Sequence, residues 1–282
     1  GGLNLAGYPT SEIKNITLRS RADVSFSERG ITLPNGYCFY NENNMPVTGF
    51  VSGDYTIKEE PEALWGASEE VLSGAGTIEE AITAAVNDNS IAYIQLQKDV
   101  TGTWTIPGGV FTFDLNSHTL SQQIYNVFNV SNEGTEVTFT DNSNGKTGKI
   151  VSNYYYDAEI DIVFAGAAVN ISQGATVNFL EGCYEGGNVV NAAGASTVNI
   201  SGGTFNNTYY DGIINEGYST LNITGGTFNS TRDDIIATYG GSVTISGGTF
   251  HLTRGTDKTI YYMGGGLNLA GYPTSEIKNI TL

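Results

Sequence analysis

Three segments decide the fold: Ser-Thr-Val-Asn-Ile-Ser-Gly-Gly-Thr-Phe at 196–205, Ser-Thr-Leu-Asn-Ile-Thr-Gly-Gly-Thr-Phe at 219–228, and Ser-Val-Thr-Ile-Ser-Gly-Gly-Thr-Phe at 242–250. Ile200, Ile223 and Ile245 stand 23 and 22 residues apart, the period of a solenoid whose coils bury their apolar faces only against one another. Alternation along Val198-Asn199-Ile200 turns Val198 and Ile200 inward and Asn199 outward. Gly202-Gly203 supplies the backbone freedom of a sharp corner, and Thr204-Phe205 opens the next short strand. Phe205, Phe228 and Phe250 are thus predicted to stack in the core, with Ile213-Ile214, Ile235-Ile236 and Ile260 as a further wall. The predicted core comprises Val198, Ile200, Phe205, Leu221, Ile223, Phe228, Val243, Ile245 and Phe250. Asn178, Asn199 and Asn222 form an outward amide ladder that Thr138 and Thr244 continue.

Working outward, Val177-Asn178-Phe179 and Gly182-Cys183-Tyr184 repeat the pattern one coil earlier, with Cys183 in the place of Thr204. Val137-Thr138-Phe139 and Phe113-Asp114-Leu115 fit the same strand at a spacing of 24 residues, and Ile94-Gln95-Leu96 fits as the first. Phe179 follows Phe139 at an offset of 40 residues, too many for one plain coil. The expectation is an irregular coil near Val163-Phe164 and a loop carrying Tyr154-Tyr155-Tyr156-Asp157. Before the first coil, Thr77-Ile78-Glu79-Glu80 reads as a capping box opening a helix, with Ile78, Ile82, Ala85 and Val86 as its apolar stripe. Such a helix plugs the open end of a solenoid.

The fold class read from these patterns is all-β: a right-handed parallel β-helix at 91–264 with an N-terminal capping helix. Residues 1–60 read as a small antiparallel β module, with strands at Ile13–Leu18, Val24–Phe26, Ile31–Leu33 and Tyr37–Tyr40. Residues 61–90 read as connector and capping helix. Residues 1–18 recur without a change as 265–282, an offset of 264. This identity predicts one period of a longer tandem array, with 1–60 the tail of a preceding unit and 265–282 the last coil and start of the next. Lacking an initiator Met, the chain reads as a processed product or internal fragment. Whether units join covalently or associate end to end is left open, since an exposed coil end can also pair with another molecule's strand edge.

Composition narrows the function. Of 282 residues, 37 are Gly, and a net charge of −17 with only 12 Lys and Arg excludes a phosphate-binding surface, so no nucleic acid partner is expected. No apolar run is long enough to span a membrane in this segment. Cys38 and Cys183, in separate segments, are expected to be free thiols.

The run from the capping helix through Ile94-Gln95-Leu96-Gln97-Lys98-Asp99-Val100, Phe113-Asp114-Leu115-Asn116-Ser117-His118-Thr119-Leu120, Thr147-Gly148-Lys149-Ile150 and the Ile-Ser-Gly-Gly-Thr-Phe coils resembles pectate-lyase-like right-handed β-helix repeats. Such repeats occur in large surface proteins of Gram-positive bacteria. Leu33-Pro34-Asn35-Gly36-Tyr37-Cys38-Phe39-Tyr40 resembles the module that follows such helices. The resemblance implies a fold and an extracellular or cell-surface setting, with no activity carried over.

The expected function is a structural repeat unit of a long bacterial surface or extracellular fibre, not an enzyme, without cofactor or metal, whose partners are neighbouring copies of itself. A carbohydrate- or host-binding adhesin module is the alternative. For it, Tyr154, Tyr155 and Tyr156 beside Asp157, Glu159 and Asp161 are the candidate contacts, because exposed Tyr next to carboxylates suits sugar. Third is a polysaccharide lyase or hydrolase. Tyr209, Arg232 and Arg254 each follow the Phe ladder by four residues, with Asp211, Asp233, Asp234, Asp257 and Lys258 nearby, the residue types of a base beside an acid cluster. The preferred reading of the same residues is a row of salt bridges and turn residues on a solvated edge. Asp141-Asn142-Ser143-Asn144-Gly145-Lys146 lacks a side-chain ligand at its fifth position and reads as an Asn-Gly turn, not a calcium loop. His118 and His251 are too far apart in coil order to share a metal. The Asn-x-Ser/Thr sequences at Asn199, Asn206, Asn222 and Asn229 follow from polar-out alternation, with glycosylation as the alternative reading.

Overall fold

A computed structural model describes residues 3–9, 16–20, 24–25, 31–50, 52–231, 234–253, 260–262, 266–268 and 280–281. Three parallel walls wind around one core. The first wall runs through Tyr93–Leu96, Val110–Asp114, Glu136–Thr140, Thr176–Phe179, Thr197–Ile200, Thr220–Ile223 and Ser242–Ile245 to Gly266–Asn268. The second contains Cys183–Gly186, Thr204–Asn207, Thr227–Ser230 and Thr249–Leu252. The third contains Asn188–Ala192, Ile213–Glu216, Ile236–Tyr239, Ile260–Tyr262 and Ile280–Thr281. The protein is therefore a parallel β-solenoid with a small antiparallel sheet at its N-terminal side.

Registers follow the repeat. Val198 pairs with Leu221 and Ile200 with Ile223, then Leu221 with Val243 and Ile223 with Ile245. Ile213, Ile236 and Ile260 succeed one another in the third wall. The Phe205 and Phe228 rings stack at 5.0 Å, and those of Phe228 and Phe250 at 4.8 Å with only 8° between planes. All the predicted core residues are buried except Phe250, which is half-buried in the last strand of the second wall among the described residues.

The corner glycines have two separate causes. A Cβ on Gly225 would lie 2.2 Å from the Ser201 carbonyl oxygen one coil away, so that position needs the absence of a side chain. Gly226 follows with φ +93°, a conformation that L side chains rarely adopt.

Outside the core, Asn199 Nδ2 donates to Asn178 Oδ1 at 2.8 Å and Asn222 Nδ2 to Asn199 Oδ1 at 2.9 Å. Asn178 Nδ2 in turn donates to Thr138 Oγ1 at 3.2 Å. The ladder is half-exposed, so water can replace a lost partner. Asn199→Ala is expected to cost about 1 kcal/mol, read as a small fall in the urea midpoint with unchanged slope.

Two expectations are corrected. The spacing of 24 residues set Phe113 against Val137, whereas Phe111 pairs with Val137 and Phe113 with Phe139. A slip of two residues keeps every side chain on its own face, so alternation alone does not distinguish the registers. Residues 61–76, read as connector, instead form a hairpin of Ala63–Ser68 and Val71–Gly76, whose first strand lies antiparallel on Tyr93–Leu96. Its Gly residues serve close packing: a Cβ on Gly74 would lie 2.1 Å from the Trp65 ring.

The helix Ile78–Asn87 carries the capping box: Glu80 N–H donates to Thr77 Oγ1, and Thr77 N–H to a Glu80 carboxylate oxygen. Ile78, Ala81, Ile82 and Ala85 are buried against the first coil, with Val86 packed beside them. In the module, Thr17–Ser20, Gly53–Glu59, Tyr37–Tyr40 and Pro46–Val47 form an antiparallel sheet in that order. Leu3–Asn4 lies parallel to Ile31–Thr32, and Leu5, Phe39, Tyr55 and Ile57 make a separate small core.

Candidate functional site

The long coil between Phe139 and Phe179 closes in one turn, since Phe139 pairs directly with Phe179. Its third-wall strand is Ala167–Ile171, and Val163-Phe164, expected in an irregular coil, lies just before it in Ile162–Ala165. The surplus residues leave the second wall as an extension of Lys149–Asp157, which folds back antiparallel through Ile162–Ala165. The anticipated loop is thus a projecting β-hairpin.

Alternation divides its aromatics between two faces. Tyr155 pairs with Phe164, their rings 6.4 Å apart, while Tyr154 and Tyr156 pair with Ala165 and Val163 on the other face. Tyr209 packs on Tyr154 at 4.9 Å and edge-on to Tyr210 at 5.0 Å, joining the arm to the next coil. Tyr154, Tyr155, Tyr156 and Phe164 are each 40–48% exposed. The Tyr156 hydroxyl donates to Asp161 Oδ1 at 2.7 Å, which raises the pKa of the phenol and fixes its acidic neighbour at the arm's tip. Aromatic faces with carboxylates at the margin can stack on a sugar ring and accept its hydroxyl protons.

The edge considered for base chemistry is less complete. Arg232, Asp233, Arg254, Asp257 and Lys258 lie outside the described residues. Tyr209 packs against the aromatic arm, and Asp234 is buried with its carbonyl accepting from Gly212 N–H. Among the described residues, no three His, Cys, Asp or Glu side chains gather as a metal site. His118 contacts Asp99 with Nδ1 to Oδ1 at 3.4 Å, whereas His251 lies in the last strand of the second wall.

Two polar features escaped the sequence reading. One is a second amide ladder along the outside of the second wall: Asn229 Nδ2 donates to Asn206 Oδ1 at 2.8 Å, and Lys149 pairs with Glu185 at 3.1 Å nearer the start. Asn199, Asn206, Asn222 and Asn229 thus all spend amide protons on neighbouring coils. The other is Asp141, fully buried, where the sequence suggested only a turn. Its carboxylate accepts from the N–H groups of Ser117 at 3.1 Å, Ser143 at 3.1 Å and Gly148 at 2.6 Å. Both oxygens therefore face backbone donors, an arrangement that stabilises a turn and does not serve a cation. Two Asp-bearing corners on successive coils, Asp114-Leu115-Asn116-Ser117 and Asp141-Asn142-Ser143, were the available signal.

Cys38 and Cys183 are free. Burial is the main cause that raises their pKa values, to about 11 and about 12, so both are neutral thiols at neutral pH and poor nucleophiles.

Comparison of the chain with known protein families, with curated proteins and with solved structures finds no match in any of the three. The class defined by the coordinates is that of a parallel β-solenoid bearing one tyrosine-rich arm.

Proposed function

We propose that the chain is a structural repeat unit of a long bacterial cell-surface or extracellular fibre, belonging to the pectate-lyase-like surface repeats that its coils resemble. One observation carries this reading. The 18-residue sequence that opens the N-terminal module also continues the far end of the solenoid, where Leu267 pairs with Val243 and Ile280 with Ile260. A sequence that belongs both to a module and to the coil preceding it is what a head-to-tail series of units requires. The test is electron microscopy of the native material with mass determination of its denatured chain. A filament whose axial repeat matches one unit supports the reading, and isolated single rods refute it.

The tyrosine arm favours a second role within such a fibre, contact with carbohydrate. Tyr154→Ala, Tyr155→Ala and Tyr156→Ala together are expected to lower retention on glycan arrays by about tenfold or more, since aromatic contacts contribute about 1 kcal/mol each. The hairpin's backbone pairing to the second wall keeps the fold. Unchanged binding to glycans and whole cells would remove this role.

A further inference from the structure

Where they are described, the two copies of the 18-residue segment form strands that pair on opposite edges. At the N-terminal side, Leu3–Asn4 lies parallel to Ile31–Thr32, and Thr17–Ser20 is the outermost strand of the module's four-stranded sheet. At the other end, Gly266–Asn268, which corresponds to 2–4, lies parallel to Ser242–Ile245. Ile280–Thr281, which corresponds to 16–17, lies parallel to Ile260–Tyr262. One sequence thus forms a strand in the same two places, and each copy lacks, among the described residues, the neighbour that the other one has.

Backbone parity shows that the two pairings are compatible. Leu5 N–H donates to the Thr32 carbonyl at 2.8 Å, so the groups of Leu3 and Leu5 face Ile31–Thr32 and those of Asn4 face the opposite edge. In the last coil, Ser242 N–H donates to Ser219 and Ser246 N–H to Ile223, which leaves Val243 facing forward. A residue facing its neighbour strand in a parallel ladder bonds to the two residues flanking its partner, here Gly266 and Asn268 around Leu267. Asn268 corresponds to Asn4, so the groups that meet the coil are those the module leaves turned outward. Leu3, 39% exposed in the module, takes a position over buried Val243 when stacked in this register.

We propose that this segment is a two-edged splice through which the 1–60 module of one copy docks on the coil end of another. Asn4 then lies opposite Thr244 and Thr17 opposite Tyr261. The first wall continues through Leu3–Asn4 into Ile31–Thr32, and the third continues through Ile16–Thr17 into the module's antiparallel sheet. Two strands at a fixed separation engage two walls at once, which sets both register and rotation of the joint. The residues 266–268 and 280–281 of the same chain occupy that coil end in cis, with the advantage of high effective concentration. This junction rests on the fibre reading and specifies how its units meet.

The test is removal of residues 265–282. The shortened chain is expected to assemble head to tail, sedimenting as a ladder of monomer multiples, while the full chain remains monomeric. An excess of a peptide with the sequence of residues 1–18 is expected to return the ladder to monomers. Adding Asn4→Pro, which removes an N–H aimed at the first wall and leaves those of Leu3 and Leu5, is expected to abolish assembly. If the shortened chain fails to fold, Asn268→Pro in the full chain opens the same edge and is expected to give the same ladder. A folded shortened chain that stays monomeric at high concentration overturns the proposal, as does a ladder indifferent to Asn4→Pro. A chain of two consecutive units separates the two ideas. If it images as one straight rod while the shortened chain stays monomeric, the fibre reading stands and this junction falls. If the two units image as hinged beads, the fibre reading falls.

Discussion

Replacing Ile223 by Asp is expected to collapse the C-terminal half of the solenoid. Ile223 is fully buried, in register with Ile200 before it and Ile245 after it. A carboxylate at that position has apolar neighbours on both sides and no partner, so it must either ionise in the core or stay protonated at a pH where a solvated Asp is ionised. An unpaired buried charge or a lone buried polar group together with the lost packing costs about 4 kcal/mol or more. Because each coil is stabilised mainly by its neighbours, the loss is expected to spread to the adjoining coils. Hydrogen exchange checks this directly: amides in Thr197–Ile200 and Ser242–Ile245 should lose protection, while those in Val110–Asp114 retain it. Asn222→Ser, one residue away on the outward face, should change the melting temperature little. Equal effects from the two substitutions would show that the faces are assigned wrongly.

Asp141→Asn is expected to be nearly as damaging, by a different route. Burial raises the pKa of Asp141, but hydrogen bonds from the Ser143 side chain and from the N–H groups of Gly148, Ser143 and Ser117 outweigh it, and the net pKa is lowered. An amide at this site points an NH2 group toward donors that need an acceptor. Leaving one or two buried N–H groups unsatisfied costs about 2–4 kcal/mol. Because the folded pKa lies below the unfolded value, the carboxylate's contribution is complete above about pH 5 and disappears as pH falls through the folded pKa. The difference in stability between the parent and Asp141→Asn should therefore be constant from neutral pH down to about pH 5 and shrink in more acidic solution. A difference that grows on acidification would contradict the arrangement. The site has little room to relax, since a Cβ on Gly148 would lie 2.5 Å from Leu115 Cβ and 2.8 Å from Asp141 Oδ2.

The coils from Ser196 onward were legible because one physical device is repeated there. Each coil has inward aliphatics at alternate positions, a glycine pair at the corner and an aromatic next to it. Earlier coils use the same devices with different residues, so the faces were readable but the register at Phe113 was not. The hairpin at 61–76 was missed because its Glu, Gly and Pro residues resemble a connector; only the packing of Trp65 and Ala63 makes them strands. The tyrosine arm was located by a surplus of length, while its antiparallel pairing depends on Ile162–Ala165, whose composition fits a coil strand equally well. Asp141 went unread because its role lies in three backbone groups, two of which belong to residues well separated from it in sequence.

The widest coil carries a general consequence. Phe139 and Phe179 are 40 residues apart in sequence, yet their rings stand only 5.8 Å apart, as closely as a plain coil would place them. Axial advance is set by backbone spacing, about 4.8 Å per rung, and is indifferent to how much chain a coil consumes on the way round. Contour length therefore counts turns, not residues. Lineages of such proteins are free to gain or lose ornaments at one corner while the ruler beneath them keeps its graduation.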